Sequence, residues 1–269
     1  MDTVDAGTTY ALFWLYKVAP EWRRLEEAER SRLRDEFART LEERLGGLTL
    51  RGAYSLVGLR PDADLALWLH GPSLDDAQDL SVALRKTGLG AYLENTYAYS
   101  GLVPQSRYAP EHRPAFAKGE APRTYLSFYP FTKTHEWYLL PFEQRRSLMA
   151  AHGHMGQKHS ALPEVRIELP EDDLAPVTVT SGGVAIAEAP ASAPAASAAP
   201  SGRVLANTVH SFGLCDHEFI VAFESDDPAA LEHMVEDLRA AEVRIYTAID
   251  TPIFLGRRKP IAAALDDLG

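Results

Sequence analysis

The sequence predicts an α+β fold made of two tandem repeats, each with the element order βαββαβ. Segments rich in β-branched and aromatic residues alternate with amphipathic segments in both halves of the chain. The segment from Gly58 to Tyr92 aligns almost in register with the segment from Gly213 to Tyr246, which indicates an internal repeat. The alternative is that two unrelated βα units resemble each other by chance. With 269 residues, 46% of them hydrophobic, the chain can form a large core.

The first repeat is predicted to occupy residues 1–105. A strand at 9–18 is followed by a long charged helix that begins at Pro20 and ends before Gly46 and Gly47. One apolar stripe along this helix predicts that it packs on the sheet. The stripe consists of Trp22, Leu25, Leu33, Phe37, Leu41 and Leu45. The remaining predicted elements are strands at 48–58 and 64–71, a helix at 74–87 and a strand at 91–101.

The second repeat is predicted to occupy residues 123–269, after a connecting segment at 106–122. Its elements are a strand at 124–131, a helix from about Pro141 to His154, strands at 203–213 and 218–224, a helix at 227–242 and a closing strand at 243–249. Two such ferredoxin-like repeats in one chain would bring their antiparallel sheets together with the helices outside, as a dimeric α+β barrel. A ligand could then lie between the sheet and a helix.

An insertion rich in Ala, Pro and Ser interrupts the second repeat at about 170–202. It has few charges and few large apolar side chains, so it cannot bury enough surface to offset its ordering entropy. We expect a flexible segment, although a loop of this length can also be functional.

Charge and cysteine content exclude several classes of function. The formal net charge is −11 with a pI near 5.3, which opposes binding to nucleic acid phosphates or anionic lipid surfaces. Cys215 is the single cysteine, so there is no internal disulfide, zinc ribbon or c-type haem attachment. The first residues lack a basic signal-peptide region and their apolar run is too short for a membrane span. We expect a soluble cytoplasmic protein.

Two histidines close together, His152 and His154, are the first candidates for a ligand site. The chain has no Walker loop, GxGxxG before a helix, GxSxG or HExxH. Successive helical residues are rotated by about 100°, so these two histidines cannot both bind one metal ion from a regular helix. His152 shares a face with Leu148 and Met149, which makes it the better candidate. A hydrogen-bonded structural histidine is the alternative, and Gly153 and Gly156 are expected to end the helix.

A second candidate site lies just upstream, on the strand at 124–131 and the residues after it. Tyr129, Phe131 and Lys133 share one face of an extended chain, and Trp137 follows. A phenol and an ammonium group on one face can both donate hydrogen bonds to a carboxylate. An aromatic strand with a solvated lysine is the alternative. His112 lies in the connecting segment, where a lone histidine is usually a surface residue.

Together these motifs resemble the chlorite dismutase-like superfamily, and within it the coproheme decarboxylases of monoderm bacteria, especially the actinobacterial type. The resemblance covers nearly the whole chain. It is carried by FYPFTK, EWYLLP, EQRRSLMAAHGHMG and HSFGLCDHEFIVAFE. It implies peroxide-dependent conversion of iron coproporphyrin III (coproheme) to haem b, a homopentameric ring, and transient contact with coproporphyrin ferrochelatase.

The resemblance also implies roles for individual residues. His152 matches the proximal iron ligand and Tyr129 the tyrosine that becomes a radical. His112 matches the distal histidine that acts as a base toward hydrogen peroxide. Lys133, Trp137 and Arg244 would contact or adjoin the propionate carboxylates, although both cations are also plausible as surface residues.

The pattern departs from that of chlorite dismutases at one position. Those enzymes need a distal arginine, whereas the matching residue here is Ala206, with Arg203 nearby if the alignment shifts. Chlorite dismutase or haem peroxidase activity is therefore the first alternative. A haem carrier or sensor without turnover is the second.

Overall fold

The structure, a computed structural model, describes residues 8–103, 113–159 and 202–269. Within these ranges the chain forms nine β-strands and six α-helices. The first half contains β1 (Tyr10–Val18), α1 (Glu27–Glu43), β2 (Thr49–Ser55), β3 (Leu65–Gly71), α2 (Leu74–Arg85) and β4 (Leu93–Leu102). The second half contains β5 (Tyr125–Lys133), α3 (His135–Leu139), α4 (Phe142–Gln157), β6 (Val204–His210), β7 (Phe219–Ser225), α5 (Pro228–Arg239), β8 (Thr247–Ile249), β9 (Phe254–Lys259) and α6 (Ile261–Asp266).

All nine strands belong to one large antiparallel sheet. Its strand order is β7-β6-β4-β1-β3-β2-β9-β5-β8, and β7 also pairs with β5. Eight strands therefore close into a ring, with β8 attached to the end of β5. The contact between β4 and β6 is short, with Leu102 opposite His210. The predicted α+β class is confirmed. Each half follows the predicted βαββαβ order, except that the short helix α3 is added before α4, and the chain then adds β9 and α6.

Side-chain alternation along the strands separates an inner core from two outer ones. Phe13, Trp68 and Phe128 point into the ring, where Phe13 stacks on Phe128 with ring centroids 5.0 Å apart. Side chains on the opposite strand faces pack against helices outside the ring. Helices α1, α2 and α6 cover the outer face of the first half, whereas α5 covers that of the second.

The internal repeat is visible in matching local structures. Gly58 and Gly213 both have positive φ angles, 78° and 73°, which glycine adopts without a Cβ clash. Trp22 packs against Tyr92 with ring centroids 5.6 Å apart. The equivalent pair in the second half, Trp137 and Tyr246, has ring centroids 5.7 Å apart. The alignment found in the sequence thus reflects two copies of one architecture.

Several predicted element boundaries were wrong. The first helix is two pieces, a 3-10 helix (Pro20–Arg24) and α1, because Leu25 and Glu26 are extended. The closing strand is a 3-10 helix (Glu242–Tyr246) followed by the short β8. Strand β9 and helix α6 were not predicted, although β9 pairs with both β2 and β5 and so connects the two halves.

The prediction that Gly153 and Gly156 end a helix was also wrong, because α4 continues through both to Gln157. Neither residue has a positive φ angle. Among the described residues, a Cβ added at Gly153 would meet no atom within 4 Å, and one at Gly156 would meet only Leu238, at 3.8 Å. The two glycines therefore leave space beside the helix.

A charged cluster is buried inside the ring. The Arg51 guanidinium donates hydrogen bonds to Glu224 from Nε at 2.9 Å and also from Nη2, and these side chains are only 4% and 0% exposed. Tyr54 and Asn207 also donate to the Glu224 carboxylate. Burial raises the pKa of Glu224, and the hydrogen bonds from Arg51 oppose this effect. The cluster joins strands β2, β6 and β7.

No helix in the described ranges is long and apolar enough to cross a membrane. The predicted insertion at 170–202 lies outside those ranges except for Gly202, and His112 lies outside them as well.

Candidate functional site

The candidate site lies on the outer face of the second half, where β5 meets helices α4 and α5. Tyr129 and Lys133 point to this face, as the strand alternation predicts, because Tyr129 packs with the outer core around α5. Helix α4 has no fully buried residue and rests on a small cluster around Trp137 and Val243 through Leu148, Met149 and Met155. The helix is thus held loosely over one end of this face.

Tyr129 is partly buried, opposite Val221 of β7 and in edge contact with Phe223, whose ring centroid is 6.3 Å away. Burial raises the pKa of the Tyr129 phenol to about 12, with a further increase from the carboxylate of Asp250 and opposing effects of Arg239 and Arg244. The phenol is therefore protonated at neutral pH. It can supply a proton together with an electron.

Lys133 ends β5 and lies over two aromatic rings. Its Nζ is 4.6 Å from the ring centroid of Trp137 and 5.1 Å from that of Phe131. Burial lowers the pKa of Lys133 to about 8; Glu218 opposes the decrease and Arg244 adds to it. Trp137 packs against Tyr246 in the same way as Trp22 packs against Tyr92 in the first half, so this aromatic pair is part of the repeat. The Lys133 ammonium over the Trp137 ring adds a positive charge that can attract an anion to this half of the molecule.

His152 is partly buried on α4, whereas His154, two residues later, is exposed. This difference agrees with the predicted helical faces. The Nδ1 atom of His152 is buried and has no hydrogen-bond partner among the described residues. Burial, and then the charge of Lys133, lower the pKa of His152 to about 4. The imidazole is therefore neutral at physiological pH, the form that binds a metal ion.

The lowered pKa of His152 predicts a pH-dependent stability of the ligand-free protein. An unfolded histidine has a pKa of about 6.5, so between this pH and about 4 only the unfolded chain takes up the proton. Acidification in this range therefore decreases the free energy of unfolding. We expect His152→Gln to remove up to about 2 kcal/mol of the decrease between pH 7 and pH 5, measured by urea unfolding.

His154→Gln is the matched control for this measurement, because it removes an exposed histidine from the same helix. It should keep the pH dependence of the parent. Equal slopes for the parent and His152→Gln would contradict the neutral, buried state of His152.

Arg244 was predicted to lie on the closing strand, but it lies in the 3-10 helix before β8. Its Nη2 is 3.0 Å from Oδ2 of Asp250, and Nη2 of Arg239 is at the same distance from the same oxygen. Sequence reasoning missed Arg239 and Asp250. Arg239 appeared only as a basic residue in the last turn of a helix, and such residues usually serve as helix caps.

Glu218 was also missed, although it organises the residues around Lys133. Its carboxylate accepts a hydrogen bond from the backbone N–H of Lys133 at 2.8 Å and one from the Tyr138 hydroxyl at 2.5 Å. It therefore connects the start of β7 to the end of β5 and to α3. Its place as the first residue of the predicted strand at 218–224 carried no signal of this function.

Ala206 occupies the position matched to a distal arginine. Ala206 lies on β6 on the same outer face as Tyr129 and packs in the same cluster. Arg203 does not replace the missing arginine, because its guanidinium binds the Glu120 carboxylate at 2.8 Å. Among the described residues matched to that position, none supplies a guanidinium to this face.

The donor set fits a metal ion that brings most of its own ligands. In the described ranges no group of three or more His, Cys, Asp or Glu residues could hold a metal ion. A neutral imidazole on a loosely packed helix, with glycines in the same helix and Trp137 and Tyr246 in the cluster beneath that helix, suits a single bond to the metal of a flat macrocycle. The fit to an iron porphyrin is therefore good.

Comparison with known proteins agrees with this architecture. A family model described as chlorite dismutase matches residues 16–168 and 195–259. The chain belongs to the chlorite dismutase family. A coproheme decarboxylase from Mycolicibacterium smegmatis is 30% identical over 259 residues, which are 96% of this chain and 93% of that relative. A coproheme decarboxylase from Staphylococcus carnosus is 29% identical over 182 residues, which are 59% of this chain and 70% of that protein.

A solved member of the chlorite dismutase family has the same fold. The chlorite dismutase from Candidatus Nitrospira defluvii, determined in complex with imidazole, superposes with a TM-score of 0.74 at 22% identity. The alignment covers 97% of this chain and 94% of that one. This likeness establishes the fold only.

Proposed function

We propose that this protein is a coproheme decarboxylase that converts iron coproporphyrin III to haem b with hydrogen peroxide. The observation that carries the proposal is the placement of Tyr129 and Lys133 on one face of β5. The neutral His152 lies close enough to Lys133 for the lysine charge to lower its pKa. Two relatives named coproheme decarboxylase support it.

His152 would hold the iron of the bound porphyrin through one imidazole nitrogen. Its partly buried position and low pKa keep the lone pair available at neutral pH. When bound, the iron porphyrin supplies the oxidising capacity that peroxide delivers. His112 would accept the first proton of the peroxide, since the pKa of an ordinary histidine is near neutrality.

Tyr129 would transfer oxidising equivalents to a propionate side chain. Its phenol is protonated, so it gives up an electron and a proton together, and the phenoxyl oxygen then removes a hydrogen atom from the propionate. A second electron leaves as the carboxylate departs. Overall, each propionate carboxylate, one proton and one peroxide molecule give a vinyl group, carbon dioxide and two molecules of water, which balances atoms, charge and electrons.

Lys133 and Arg244 would bind propionate carboxylates, and Trp137 would form the apolar surface next to Lys133. An ammonium over an aromatic ring keeps its position without a partner carboxylate. Charge and placement together favour a porphyrin with several carboxylates over one with few.

Two other functions make different predictions. A chlorite dismutase would need a guanidinium at the position that Ala206 occupies on β6. A carrier or sensor would need His152 but not a tyrosine beside the carboxylates. We therefore expect no oxygen release from chlorite.

The test uses the purified protein loaded with iron coproporphyrin III and titrated with hydrogen peroxide. We expect the porphyrin mass to fall in two steps, each by one carboxyl group and one hydrogen atom, with release of carbon dioxide. Chlorite in place of peroxide should release no oxygen. Porphyrin that keeps all its carboxylates, or is only bleached, would refute the proposal.

The pKa of Lys133 predicts how porphyrin binding depends on pH. The ammonium is charged below about pH 8 and neutral above it, so its attraction for a carboxylate falls as the pH rises through 8. We expect the affinity for metal-free coproporphyrin III to fall by up to about ten-fold between pH 7 and pH 9. Lys133→Arg should keep the same affinity at both pH values, measured by fluorescence titration. If this variant lost affinity between pH 7 and pH 9 as the parent does, the role of Lys133 would be contradicted.

The remaining parts of the proposal concern assembly and location. We propose a homopentameric ring that acts in the cytoplasm and contacts coproporphyrin ferrochelatase transiently. Relatives of the decarboxylase type and the negative charge support a role in aqueous solution, away from anionic surfaces. Sedimentation of the purified protein would give the subunit number.

A further inference from the structure

Arg239, Arg244 and Asp250 form a compact charged cluster beside the candidate site. Arg239 is the last residue of α5, Arg244 lies in the next turn, and Asp250 directly follows β8. The Nη2 atoms of both arginines lie 3.0 Å from one carboxylate oxygen, Oδ2 of Asp250. The Asp250 side chain is 19% exposed, whereas those of Arg239 and Arg244 are 43% and 35% exposed.

The cluster carries one positive charge in excess, because two guanidinium groups share one carboxylate. A guanidinium has five N–H donors in a planar fork, and a contact from one terminal nitrogen does not exhaust them. The arginines are more exposed than the aspartate between them. A second carboxylate that approaches from the solvent-exposed side would neutralise the excess charge and accept hydrogen bonds from both guanidinium groups.

The position of the cluster relates it to Tyr129. Strand β8 pairs with the end of β5, with Ile249 opposite Thr132, so Asp250 continues toward the outer face of Phe131 and Tyr129. Tyr129 packs in the same outer cluster as Val235 and Leu238, which lie four residues and one residue before Arg239 on α5. All three charges of the cluster act on the Tyr129 phenol. A carboxylate bound here would lie beside that phenol.

This position differs from that of Lys133. Asp250 follows Ile249, the partner of Thr132, so the cluster is level with Phe131. This is two residues before Lys133, or about 7 Å along an extended strand, and the charge of Arg244 acts on Lys133 as well as on Tyr129. The candidate face therefore carries two cationic points, one at Lys133 and one at the arginine pair. A substrate with carboxylates at several corners can reach both, whereas a substrate with a single carboxylate reaches one.

We infer that Arg239 and Arg244 bind one carboxylate of the porphyrin substrate beside Tyr129, and that Asp250 is an internal counter-ion that limits this site to one excess positive charge. The inference rests on the proposed function and deepens it. Asp250 competes with the substrate carboxylate for the same donors, so it weakens binding. When the carboxylate leaves as carbon dioxide, the two guanidinium groups stay paired with Asp250. The vinyl group of the product forms no hydrogen bond with them.

The net charge of the cluster predicts an order of affinities for metal-free coproporphyrin III. Arg239→Gln leaves no excess charge and should weaken binding roughly ten-fold, whereas Asp250→Asn raises the excess to two charges and should tighten it several-fold. The double variant Arg239→Gln with Asp250→Asn restores one charge and should bind within about two-fold of the parent.

Fluorescence titration measures these affinities without any chemistry. The tetramethyl ester of coproporphyrin III has the same ring without carboxylates, so its affinity should be the same for all variants. Arg39→Gln and Asp35→Asn change exposed charges on α1 and serve as matched controls. Thermal unfolding of each variant verifies that it is folded.

Weaker binding to Asp250→Asn, or equal effects on the acid and its ester, would overturn the inference. Its failure is distinguishable from that of the proposed function. If the parent decarboxylates coproheme but the order of affinities is not found, only the inference fails. If the order is found without decarboxylation by peroxide, the carboxylate site stands and the proposed activity fails.

Discussion

Replacing Tyr129 with phenylalanine is expected to abolish decarboxylation while leaving porphyrin binding nearly intact. The ring keeps its edge contact with Phe223 and its place in the outer cluster, so packing changes little. The hydroxyl is lost, and with it the one group on this part of the face that we propose to take hydrogen from a propionate. The rate of carbon dioxide release should fall at least about 100-fold, the scale on which positioned proton-transferring groups contribute.

Tyr125→Phe is the control for this variant. Tyr125 lies on the same face of the same strand, four residues earlier, and packs in the same outer cluster. It should release carbon dioxide at the rate of the parent. Full activity of Tyr129→Phe, or equal losses in both variants, would show that Tyr129 has no specific role in the reaction.

Among these single substitutions, Arg51→Met should cause the largest decrease in the free energy of unfolding. It leaves the Glu224 carboxylate inside the ring without its cation, and breaking a buried pair in this way typically costs about 3–5 kcal/mol. Denaturant unfolding at pH 8 would measure the loss. Burial already raises the pKa of Glu224, and removal of Arg51 raises it further, so protonation relieves the cost. The destabilisation should therefore be smaller at pH 5 than at pH 8.

Two comparisons separate the buried charge from the loss of a side chain. The double variant Arg51→Met with Glu224→Gln removes both charges and should recover most of the stability. Arg146→Met removes one partner of an exposed ion pair on α4 and should change the free energy of unfolding by less than about 1 kcal/mol. A double variant as unstable as Arg51→Met would contradict this account of the cluster.

Much of the fold was predictable because the chain repeats itself. The alignment that starts at Gly58 and Gly213 reflects equal turns, helix starts and 3-10 helices in the two halves. Strand β9 was missed because its polar half, Arg257 to Lys259, hides the periodicity of a strand. Its role in joining the halves depends on pairing with β2 and β5, which are distant in sequence.

The candidate site was predictable where neighbouring residues form it. Period-two alternation placed Tyr129 and Lys133 on one face, and the helical period separated His152 from His154. Arg239, Glu218 and Asp250 could not be found in this way, because they reach the site from three separate elements. The glycines in α4 misled the prediction, since glycine lowers helix stability only by about 1 kcal/mol, and packing at Leu148 and Met155 can offset this.

The most direct test of the whole account is a crystal structure of the protein with iron coproporphyrin III. We predict that a nitrogen of His152 binds the iron, that one propionate lies beside the Tyr129 hydroxyl and that another lies at Lys133. Iron bound to another residue, or a porphyrin on a different face of the sheet, would contradict it.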